Sequence, residues 1–454
     1  MKYFRITCIC LLTSSVFSGC ATFSKDGGLG GVKEITATHL KQEIVWPKSA
    51  LEQQSVSDRV AVLLKKPLDV ESAVQVALLN NKDLQASFNQ LGISEADVVQ
   101  AGRFQNPRFT MLYARNNGEY KIEQALTFNI FSLITMPKMQ EIERNNFEMT
   151  KQSVAINVIN LAYETRQAYF NAVAANERLN YSAQVKVSAE ASAELASRMV
   201  KTGNWNALEQ STEQDFYAEA MLDFANAKNQ QISSREALSR LLAVPAEQFN
   251  LEKRLPDLPK SIDELQTYEK SAFEQRLDLK AMRSETAALA KQLGLTKATR
   301  FINVLEIGPA RVLEGKRSDP YKKGVDISFE LPLFDWGGAK VAKAEATYMQ
   351  AVNRTAQLAM NAQSEIREAY SRYQTNYAVA KHYRDEIVPL RKKILQENQL
   401  RYNGMLISPF ELFADARAQV QSVNSYITTL NEFWLAETAL QMSLVGSANN
   451  KEGK

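Results

Sequence analysis

Residues 154–179, with the sequence VAINVINLAYETRQAYFNAVAANERL, decide the fold of this chain. Apolar and small residues recur in this stretch at alternating steps of four and three, the heptad spacing of helices that pack along their length. The surrounding residues, 138–202, include neither proline nor glycine, so they predict a helix on the order of 100 Å long. The predicted seam consists of Val154, Val158, Leu161, Thr165, Ala168, Ala172, Ala175 and Leu179.

The chain also contains an internal duplication. Arg166-Gln-Ala-Tyr169 recurs 201 residues later as Arg367-Glu-Ala-Tyr370, and Lys201-Thr-Gly203 recurs at the same distance as Tyr402-Asn-Gly404. A constant offset over such a span predicts two copies of one structural unit. The upstream match of Asp83-Leu-Gln-Ala86 with Asp278-Leu-Lys-Ala281 has an offset of 195, which places a change of length in a loop, where insertions are tolerated.

Each copy is predicted to form a helix, a β-hairpin and a pair of long antiparallel helices. Asn116-Asn117-Gly118 joins two alternating apolar segments, and these residues permit the positive φ angles of a tight turn. Gly203 and Gly404 are predicted to end the first long helix of each pair in a left-handed conformation, and Pro389 to kink the second long helix. The first copy is predicted as helix 69–102, strands 108–115 and 120–130, and helices 138–202 and 207–242. The second is predicted as helix 262–299, strands 301–307 and 325–331 with a polar loop 311–323, and helices 339–403 and 409–445.

The N-terminus is predicted to be a targeting signal. Lys2 and Arg5 precede a short apolar run that ends in Ser18-Gly19-Cys20, the pattern of a cleaved signal peptide. This ending resembles a bacterial lipoprotein lipobox, which implies lipidation of Cys20 and, with Ala at position 21, sorting to the outer membrane; an ordinary secretory signal is the alternative. The glycine-rich residues 26–31 are expected to form a flexible tether.

Composition excludes several classes of protein. Hydrophobic residues make up 45% and charged residues 23% of the chain, and 54 basic residues against 51 acidic ones give a net charge of +3. These values exclude a disordered chain and a polytopic helical membrane protein, and they do not favour nucleic-acid binding. His39 and His382 are the only histidines. No catalytic set or metal-ligand spacing stands out, so neither an enzyme nor a metal site is expected.

The two hairpins have a consequence for assembly. Four strands per chain cannot close a membrane barrel, because such barrels have at least about eight strands. Three chains would supply twelve strands and leave no unpaired edge in lipid. The strand number therefore predicts a trimer.

These features together resemble the outer membrane efflux family of TolC-like channels. The residues that carry the resemblance are Leu331-Pro-Leu-Phe-Asp-Trp-Gly-Gly338 at a strand-to-helix junction, Asn106-Pro107 before the first strand, and Tyr402-Asn-Gly404. The resemblance extends over about 68–446. The first copy departs from the family pattern because Met136-Pro137 replaces the pair Gly337-Gly338 of the second copy.

The resemblance implies a mainly α fold with a small β part. Each chain would contribute four strands to a trimeric 12-stranded outer-membrane β-barrel, above a long α-helical barrel that extends into the periplasm. A homotrimer of this kind exports small molecules or metal ions together with a periplasmic adaptor and an inner-membrane transporter, and needs no cofactor. Gly203 and Gly404 would mark the periplasmic tips. Glu411 and Asp415 would be candidates for a ring of acids at the periplasmic aperture, with Glu209 and Glu213 as weaker candidates; a solvated helix face is the alternative.

Two other functions remain open at this point. A type I protein-secretion channel would share the family and the fold, whereas a periplasmic coiled-coil scaffold lipoprotein would have no membrane-embedded strands. The predicted organisation is a signal peptide at 1–19, a lipid-anchored tether and extended segment at 20–67, a first repeat at 68–242, a linker at 243–261, a second repeat at 262–446 and a polar tail at 447–454.

Overall fold

The computed structural model describes residues 22–264, 276–301 and 304–446. The predicted signal peptide, Cys20 and the tail 447–454 lie outside these residues. The chain forms two compact units. One comprises the segment that ends at Val32 together with Phe88–Val154 and Leu277–Ala359, and the other comprises Lys33–Ser87, Ala155–Arg276 and the segment that begins at Met360.

The helices and strands follow the order expected for two related repeats. A short 3-10 helix, Ala246–Gln248, lies in the linker, and a π-helical turn, Tyr383–Ile387, separates α8 from α9. The elements are α1 Leu29–Ala37, α2 Ala50–Leu63, α3 Val70–Asn80, α4 Lys82–Ala101, β1 Arg108–Asn116, β2 Glu119–Asn129, α5 Ile130–Lys201, α6 Ala207–Leu242, α7 Leu277–Thr299, β3 Leu305–Gly315, β4 Lys322–Phe329, α8 Gly338–His382, α9 Val388–Asn403 and α10 Pro409–Val445.

The four strands form one antiparallel sheet in the order β1-β2-β3-β4. The turn between β1 and β2 has positive φ angles at Asn117 (46°) and Gly118 (87°), which confirms the predicted hairpin. The two hairpins join through β2 and β3, where Ile122 lies opposite Leu313 and Phe128 opposite Ile307. Each repeat therefore contributes half of the sheet.

The predicted strands of the second copy are wrong in their bounds. Strand β3 continues to Gly315, through the first part of the loop predicted at 311–323, and β4 begins at Lys322. Gly308 and Pro309 locally indicate the end of a strand, because glycine and proline are unfavourable inside strands. Gly308 is required here, since a Cβ atom at this position would lie 1.8 Å from the carbonyl oxygen of Leu126 on β2.

The helix predicted at 69–102 is in fact two helices. Asn81 separates α3 from α4 with an extended ψ of 126°. Its side-chain oxygen accepts a hydrogen bond from the backbone N–H of Leu84 at 3.0 Å, and its amide nitrogen donates to the carbonyl of Leu241 at 3.0 Å. Asn81 thus starts α4 and also holds it against the end of α6.

Helix α5 has 72 residues and begins earlier than predicted. The segment 131–137 is its first part rather than a junction, and Pro137 lies inside the helix. The predicted seam lies largely in the core, with Val158 and Thr165 fully buried and Ala168 and Leu179 half-buried. The heptad interpretation of the quoted stretch is therefore confirmed.

The second long helix is interrupted next to Pro389, as predicted, and the interruption is a π turn. Tyr383–Ile387 adopts π geometry immediately before the proline. Proline lacks the N–H that would bond to the carbonyl four residues earlier, and a π turn is one of the ways in which a helix absorbs such a gap.

Two equivalent hydrogen bonds support the duplication. The hydroxyl of Tyr169 donates to the carbonyl of Leu68 at 2.9 Å, and the hydroxyl of Tyr370 donates to the carbonyl of Asp263 at 3.1 Å. The two tyrosines are 201 residues apart and the two acceptors 195, the same offsets that the sequence repeats have. The two copies therefore share a tertiary contact as well as sequence.

The linker between the repeats is held by side chains from three helices. Trp434 on α10 donates to the carbonyl of Pro256 at 3.0 Å, and Tyr377 on α8 donates to the carbonyl of Lys260 at 3.0 Å. Arg235 on α6 donates to the carbonyl of Ala246 at 2.7 Å. Because Phe249 is fully buried beneath these bonds, the linker is part of the core of its unit.

The glycine-rich segment predicted as a flexible tether is folded instead. Asp26 accepts hydrogen bonds from the backbone N–H groups of Gly28 and Gly30 at 3.2 and 2.6 Å, and α1 begins at Leu29. Gly28 has φ of 83°, and a Cβ atom there would lie 2.5 Å from the ring of Phe147. The glycines allow close approach to α5 rather than flexibility.

Candidate functional site

The sheet has one apolar face that is largely exposed. Paired residues of neighbouring strands share this face, as Phe109 does with Leu126 and Ile307 with Ile327. Phe329 is 60% exposed and Val325 67%, so none of the described residues covers these side chains. Gln124 and Arg311 also lie on this face and hydrogen-bond to each other at 2.6 Å, and Leu313 is buried. The apolar members of the face are Phe109, Met111, Tyr113, Tyr120, Ile122, Leu126, Phe128, Ile307, Leu313, Val325, Ile327 and Phe329.

The opposite face of the sheet is polar and carries ion pairs. Arg108 lies 3.4 Å from Glu306, and Lys121 lies 2.9 Å from Glu123. Most apolar side chains therefore lie on one side of the sheet and the ion pairs on the other, as in strands that have one face toward lipid and one toward water. Arg115 and Arg311 are exceptions on the apolar side. Within the part of the chain that the structure describes, the edge strands β1 and β4 pair with no further strand, and unpaired edges are not tolerated in lipid.

Exposed apolar side chains also mark the junction between β4 and α8. Leu331 is 61% exposed, Phe334 98% and Trp336 64%. Gly337 has φ of 73°, and a Cβ atom there would lie 2.7 Å from the carbonyl oxygen of Arg300. Gly338, in contrast, begins α8 in open space. Only Gly337 of the predicted glycine pair is therefore required by backbone geometry.

The two helix tips differ from each other. Gly203 has the predicted left-handed φ, 76°. The prediction for Gly404 is wrong, because Gly404 has φ of −82° and the left-handed residue is its neighbour Met405, with φ of 60°. The second turn therefore places a bulky side chain, 93% exposed, at the position where glycine was expected.

Glu411 and Asp415 have different surroundings. Glu411 is exposed, and its backbone N–H donates at 3.2 Å to the hydroxyl oxygen of Ser408, the residue that caps α10. Asp415 is half-buried and accepts a hydrogen bond from the side-chain amide of Asn398 on α9. Asp415 thus joins the two helices of its own hairpin, whereas Glu411 has its carboxylate free to face solvent.

A buried ion pair near the tips was not predicted. Glu213 on α6 is fully buried, 2.8 Å from Arg417 on α10 and 2.5 Å from the hydroxyl of Ser192 on α5. The guanidinium group of Arg417 also lies over the rings of Phe216 and Phe410, 5.4 and 5.9 Å from their centroids. This cluster connects the hairpin of the first copy to that of the second.

One sequence signal could have identified Glu213 as a buried acid. It begins a series with seven-residue spacing on α6 that continues with Ala220, Ala227 and Ser234, all buried. Small residues at this spacing form a packing seam. An acid at the end of such a seam needs a basic partner, because a buried charge is stable only when it is paired.

A second polar cluster lies farther from the tips. Arg166 on α5 bonds to Glu71 at 3.1 Å and to Gln441 at 3.0 Å, and Gln441 donates to Glu437. Burial raises the pKa of Glu437 above its ordinary value of 4.5, while the positive charge of Arg166 opposes this increase. The cluster therefore contains a carboxyl group whose charged form is disfavoured.

The described residues provide no group of three His, Cys, Asp or Glu side chains that could hold a metal ion. His382 lies 3.3 Å from Glu386. No helix in the described ranges is long and apolar enough to cross a membrane.

Comparison with known proteins agrees with this geometry. Residues 73–244 match the family model described as outer membrane efflux protein. This segment, less than half of the chain, is similar to the outer membrane efflux proteins, a family of efflux channels and not of enzymes.

The chain is also similar to proteins of known name or structure. The cobalt-zinc-cadmium resistance protein CzcC of Cupriavidus metallidurans is 23% identical over 276 residues, which are 59% of this chain and 64% of that protein, less than two thirds of its length. A membrane protein from Pseudomonas aeruginosa has a TM-score of 0.70 and 18% identity, over 83% of this chain and 93% of that one. The CmeC outer membrane channel of Campylobacter jejuni has a TM-score of 0.67 and 16% identity, over 93% and 92%. The two structures show that the chain shares its fold with these proteins, one of which is an outer membrane channel.

Proposed function

We propose that this chain forms the outer-membrane channel of a tripartite efflux system, which exports small molecules or metal ions from the periplasm or an inner-membrane pump to the exterior. The observation that carries the proposal is the sheet, with its exposed apolar face and two open edges. Three copies would supply the twelve strands of a closed barrel. The polar face would then line an aqueous passage that continues between the long helices.

Aromatic residues at the end of the sheet support its position in a membrane. Phe334 and Trp336 are both largely exposed at the β4–α8 junction. Tryptophan and tyrosine are enriched where a membrane meets water, since their rings suit the headgroup region. This junction would lie at the periplasmic surface of the outer membrane.

Lipidation of Cys20 is compatible with this position. The backbone N–H of Ser24 donates to Glu95 on α4 at 2.6 Å, and four residues of extended chain reach at most about 14 Å. The six residues of α4 beyond Glu95 rise about 9 Å toward the start of the strands. An acyl chain on Cys20 would therefore reach the membrane surface at the base of the sheet. Mass spectrometry of the mature N-terminus would detect the acyl groups, which a Cys20→Ser variant would lack.

The helix tips would meet the periplasmic adaptor, which in turn would join the channel to the inner-membrane transporter. Gly203 and the turn at Gly404 would form this end. We propose Glu411 as the acid that faces the aperture. Asp415 contributes less because Asn398 already engages its carboxylate. In a planar bilayer, Glu411→Lys should shift ion selectivity away from cations more than Asp415→Lys does. If the two shifts are equal, or if neither variant changes the selectivity, both acids lie on a solvated helix face and not at the aperture.

The cargo class to test first is divalent metal cations. The relative of Cupriavidus metallidurans is named for resistance to cobalt, zinc and cadmium. Cells that lack the gene should become sensitive to these ions and recover when the full chain is supplied. Unchanged metal tolerance together with sensitivity to organic compounds would favour small-molecule export instead.

The experiment that tests the channel itself is electron imaging of the full chain purified in detergent. A hollow particle with threefold symmetry is the expected result. A thin solid rod would favour the scaffold lipoprotein, and a hollow trimer that passes unfolded protein would favour type I secretion.

A further inference from the structure

The apolar face of the sheet carries basic residues near one end. Arg311 on β3 lies opposite Gln124 on one side and Lys323 on the other. Arg115 on β1 lies opposite Tyr120. Because paired residues of neighbouring strands share a face, Arg115, Arg311 and Lys323 are all on the apolar side. All three are exposed, and they occupy the half of the sheet that ends in the turns of the two hairpins.

The acids of the strands lie on the opposite face. There Glu123 lies 2.9 Å from Lys121, and Glu314 lies 3.5 Å from Lys322, so bases of the polar face have acidic partners close by. The strand register places every acid of the four described strands on that polar face: Glu119, Glu123, Glu306, Glu314 and Asp326. The charges that these strands present on the apolar face are therefore all positive.

Arg311 and Lys323 form a like-charge pair on adjacent strands. Like charges directly opposite each other destabilise a sheet, so this pair requires an anion. Nε of Arg311 donates to the side-chain oxygen of Gln124 at 2.6 Å, and the guanidinium group lies 4.9 Å from the centroid of the Tyr321 ring. These two contacts hold the guanidinium group in place, and they leave its two terminal nitrogens available as hydrogen-bond donors.

A second copy of the chain would not supply the anion. The edges of the sheet are β1 and β4, so closing a barrel would place β1 of the next copy beside Lys323 on β4. The residues that β1 presents on the apolar face are Phe109, Met111, Tyr113 and Arg115. None of these is acidic, so the anion has to come from the surroundings of the barrel.

The position of the pair along the sheet indicates what those surroundings are. The β4–α8 junction is proposed to lie at the periplasmic surface, so the hairpin turns lie at the opposite surface of the membrane. Arg311 is four residues from Gly315 at the end of β3, about 13 Å along the strand and about 10 Å in depth once a barrel strand is tilted. Long basic side chains extend their charged ends from such a depth toward the headgroups.

We infer that Arg311 and Lys323 bind a phosphate group of a lipid in the outer leaflet of the outer membrane. A phosphate group suits this pair because a guanidinium group can bind two of its oxygens at once, and its negative charge offsets the repulsion between the two bases. Arg115, whose guanidinium group lies 5.3 Å from the centroid of the Tyr120 ring, extends the basic surface toward the hairpin turn. The inference rests on the proposed membrane position of the sheet and adds a lipid site to it.

Lipid binding by the full chain purified in detergent tests the site. The probe is lipid A, a phosphorylated glycolipid, compared with the same lipid after removal of its phosphates, and native mass spectrometry measures the bound fraction over a titration. Arg311→Gln with Lys323→Gln should weaken lipid A binding at least about tenfold, the factor expected for one charge-assisted hydrogen bond. Binding of the dephosphorylated lipid should not change.

The matched control is Lys121→Gln with Lys322→Gln, which removes the same charge from the polar face and should bind lipid A as the wild type does. An equal loss in this control, or equal affinity of the wild type for the two lipids, overturns the inference. Displacement of lipid A by inorganic phosphate at equal concentration also overturns it, because the ligand would then be the free ion.

Lys323→Glu separates lipid binding from folding. It places an acid opposite Arg311, and opposite charges at paired positions stabilise a sheet. The heat-resistant trimer should therefore persist while lipid A affinity falls at least about tenfold; unchanged affinity overturns the inference. Fractionation of cells with the wild-type chain distinguishes the two possible failures. A trimer in the outer membrane without preference for lipid A contradicts this inference alone, whereas a chain absent from the outer membrane contradicts the proposed function itself.

Discussion

At the scale of single residues, the most consequential feature is the ion pair between Glu213 and Arg417. Glu213 has no exposed surface in its side chain, and the side chain of Arg417 is 23% exposed. Removing one partner of a buried pair leaves an uncompensated charge, whereas replacing both by apolar residues is often neutral. The pair therefore contributes to holding the two hairpins together near their tips.

We expect Arg417→Leu to lower the free energy of unfolding by about 3 kcal/mol, since it leaves Glu213 charged and unpaired in the core. The double variant Glu213→Leu with Arg417→Leu should recover most of this loss. Chemical denaturation followed by circular dichroism measures both values. The control is Arg198→Leu, which breaks a pair with Glu194 that is 73% and 62% exposed and should cost less than about 1 kcal/mol. An equal loss in Arg198→Leu would contradict the role of burial.

Glu437 makes stability depend on pH. Its pKa is raised in the folded chain by burial, so the folded state retains a proton that the unfolded state releases above about pH 4.5. Stability must therefore fall as pH rises through the interval between the two pKa values. Glu437→Gln removes this titration, and its melting temperature should exceed that of the wild type by more at pH 7.5 than at pH 4.5. Glu432→Gln, at an exposed acid on the same helix, is the control; a pH-independent difference would contradict the prediction.

At the scale of elements, the seam between β2 and β3 joins the two repeats and depends on Gly308. The pairing of β2 with β3 omits Leu126 and Thr127, opposite Gly308 and Pro309. Proline has no N–H to donate to a neighbouring strand. The glycine allows the strands to approach closely where this hydrogen bond is absent.

Gly308→Ala should separate β2 from β3, because the new methyl group would overlap the carbonyl of Leu126. The expected result is a marked loss of folded protein in the outer membrane, measured by fractionation and quantitative blotting. Gly324→Ala is a matched control on β4, since its Cβ atom meets nothing within 4 Å. Equal amounts of the two variants would show that the close approach is not needed.

Local signals made most of these elements predictable. The seam from Val154 onward and the turn at Asn117-Gly118 were found because each depends on residues close together in the chain. The end of β3 was misplaced because Gly308 and Pro309 oppose a strand locally, and only pairing with β2 and β4 overrides them. The partner of Glu213 could not be predicted, because Arg417 is 204 residues away and no local pattern links the two.

At the scale of the whole molecule, the two faces of the sheet determine where the chain resides. The apolar face is exposed in the single chain, so it must be covered by lipid or protein. A charged residue on a lipid-exposed strand face costs about 2–4 kcal/mol at the middle of the bilayer, whereas the same residue on the lumen face is tolerated.

Substitutions at two neighbouring residues of β4 distinguish the roles of the two faces. Ile327→Lys, on the apolar face, should reduce assembly into the outer membrane, and Ser328→Lys, on the polar face, should not. Heat-resistant trimer in membrane fractions is the measurement. If both variants assemble equally, the apolar face does not contact lipid.

The unequal tip turns have a mechanical consequence. Gly203 occupies its left-handed conformation at no steric cost, but Met405 holds a similar conformation against the clash of its own Cβ, at about 1 kcal/mol. The two turns therefore differ in backbone strain. A change of backbone angle at Met405 would release this energy, whereas the same change at Gly203 would release none, so the duplicated halves of the chain differ in the energy that a rearrangement of their tips requires.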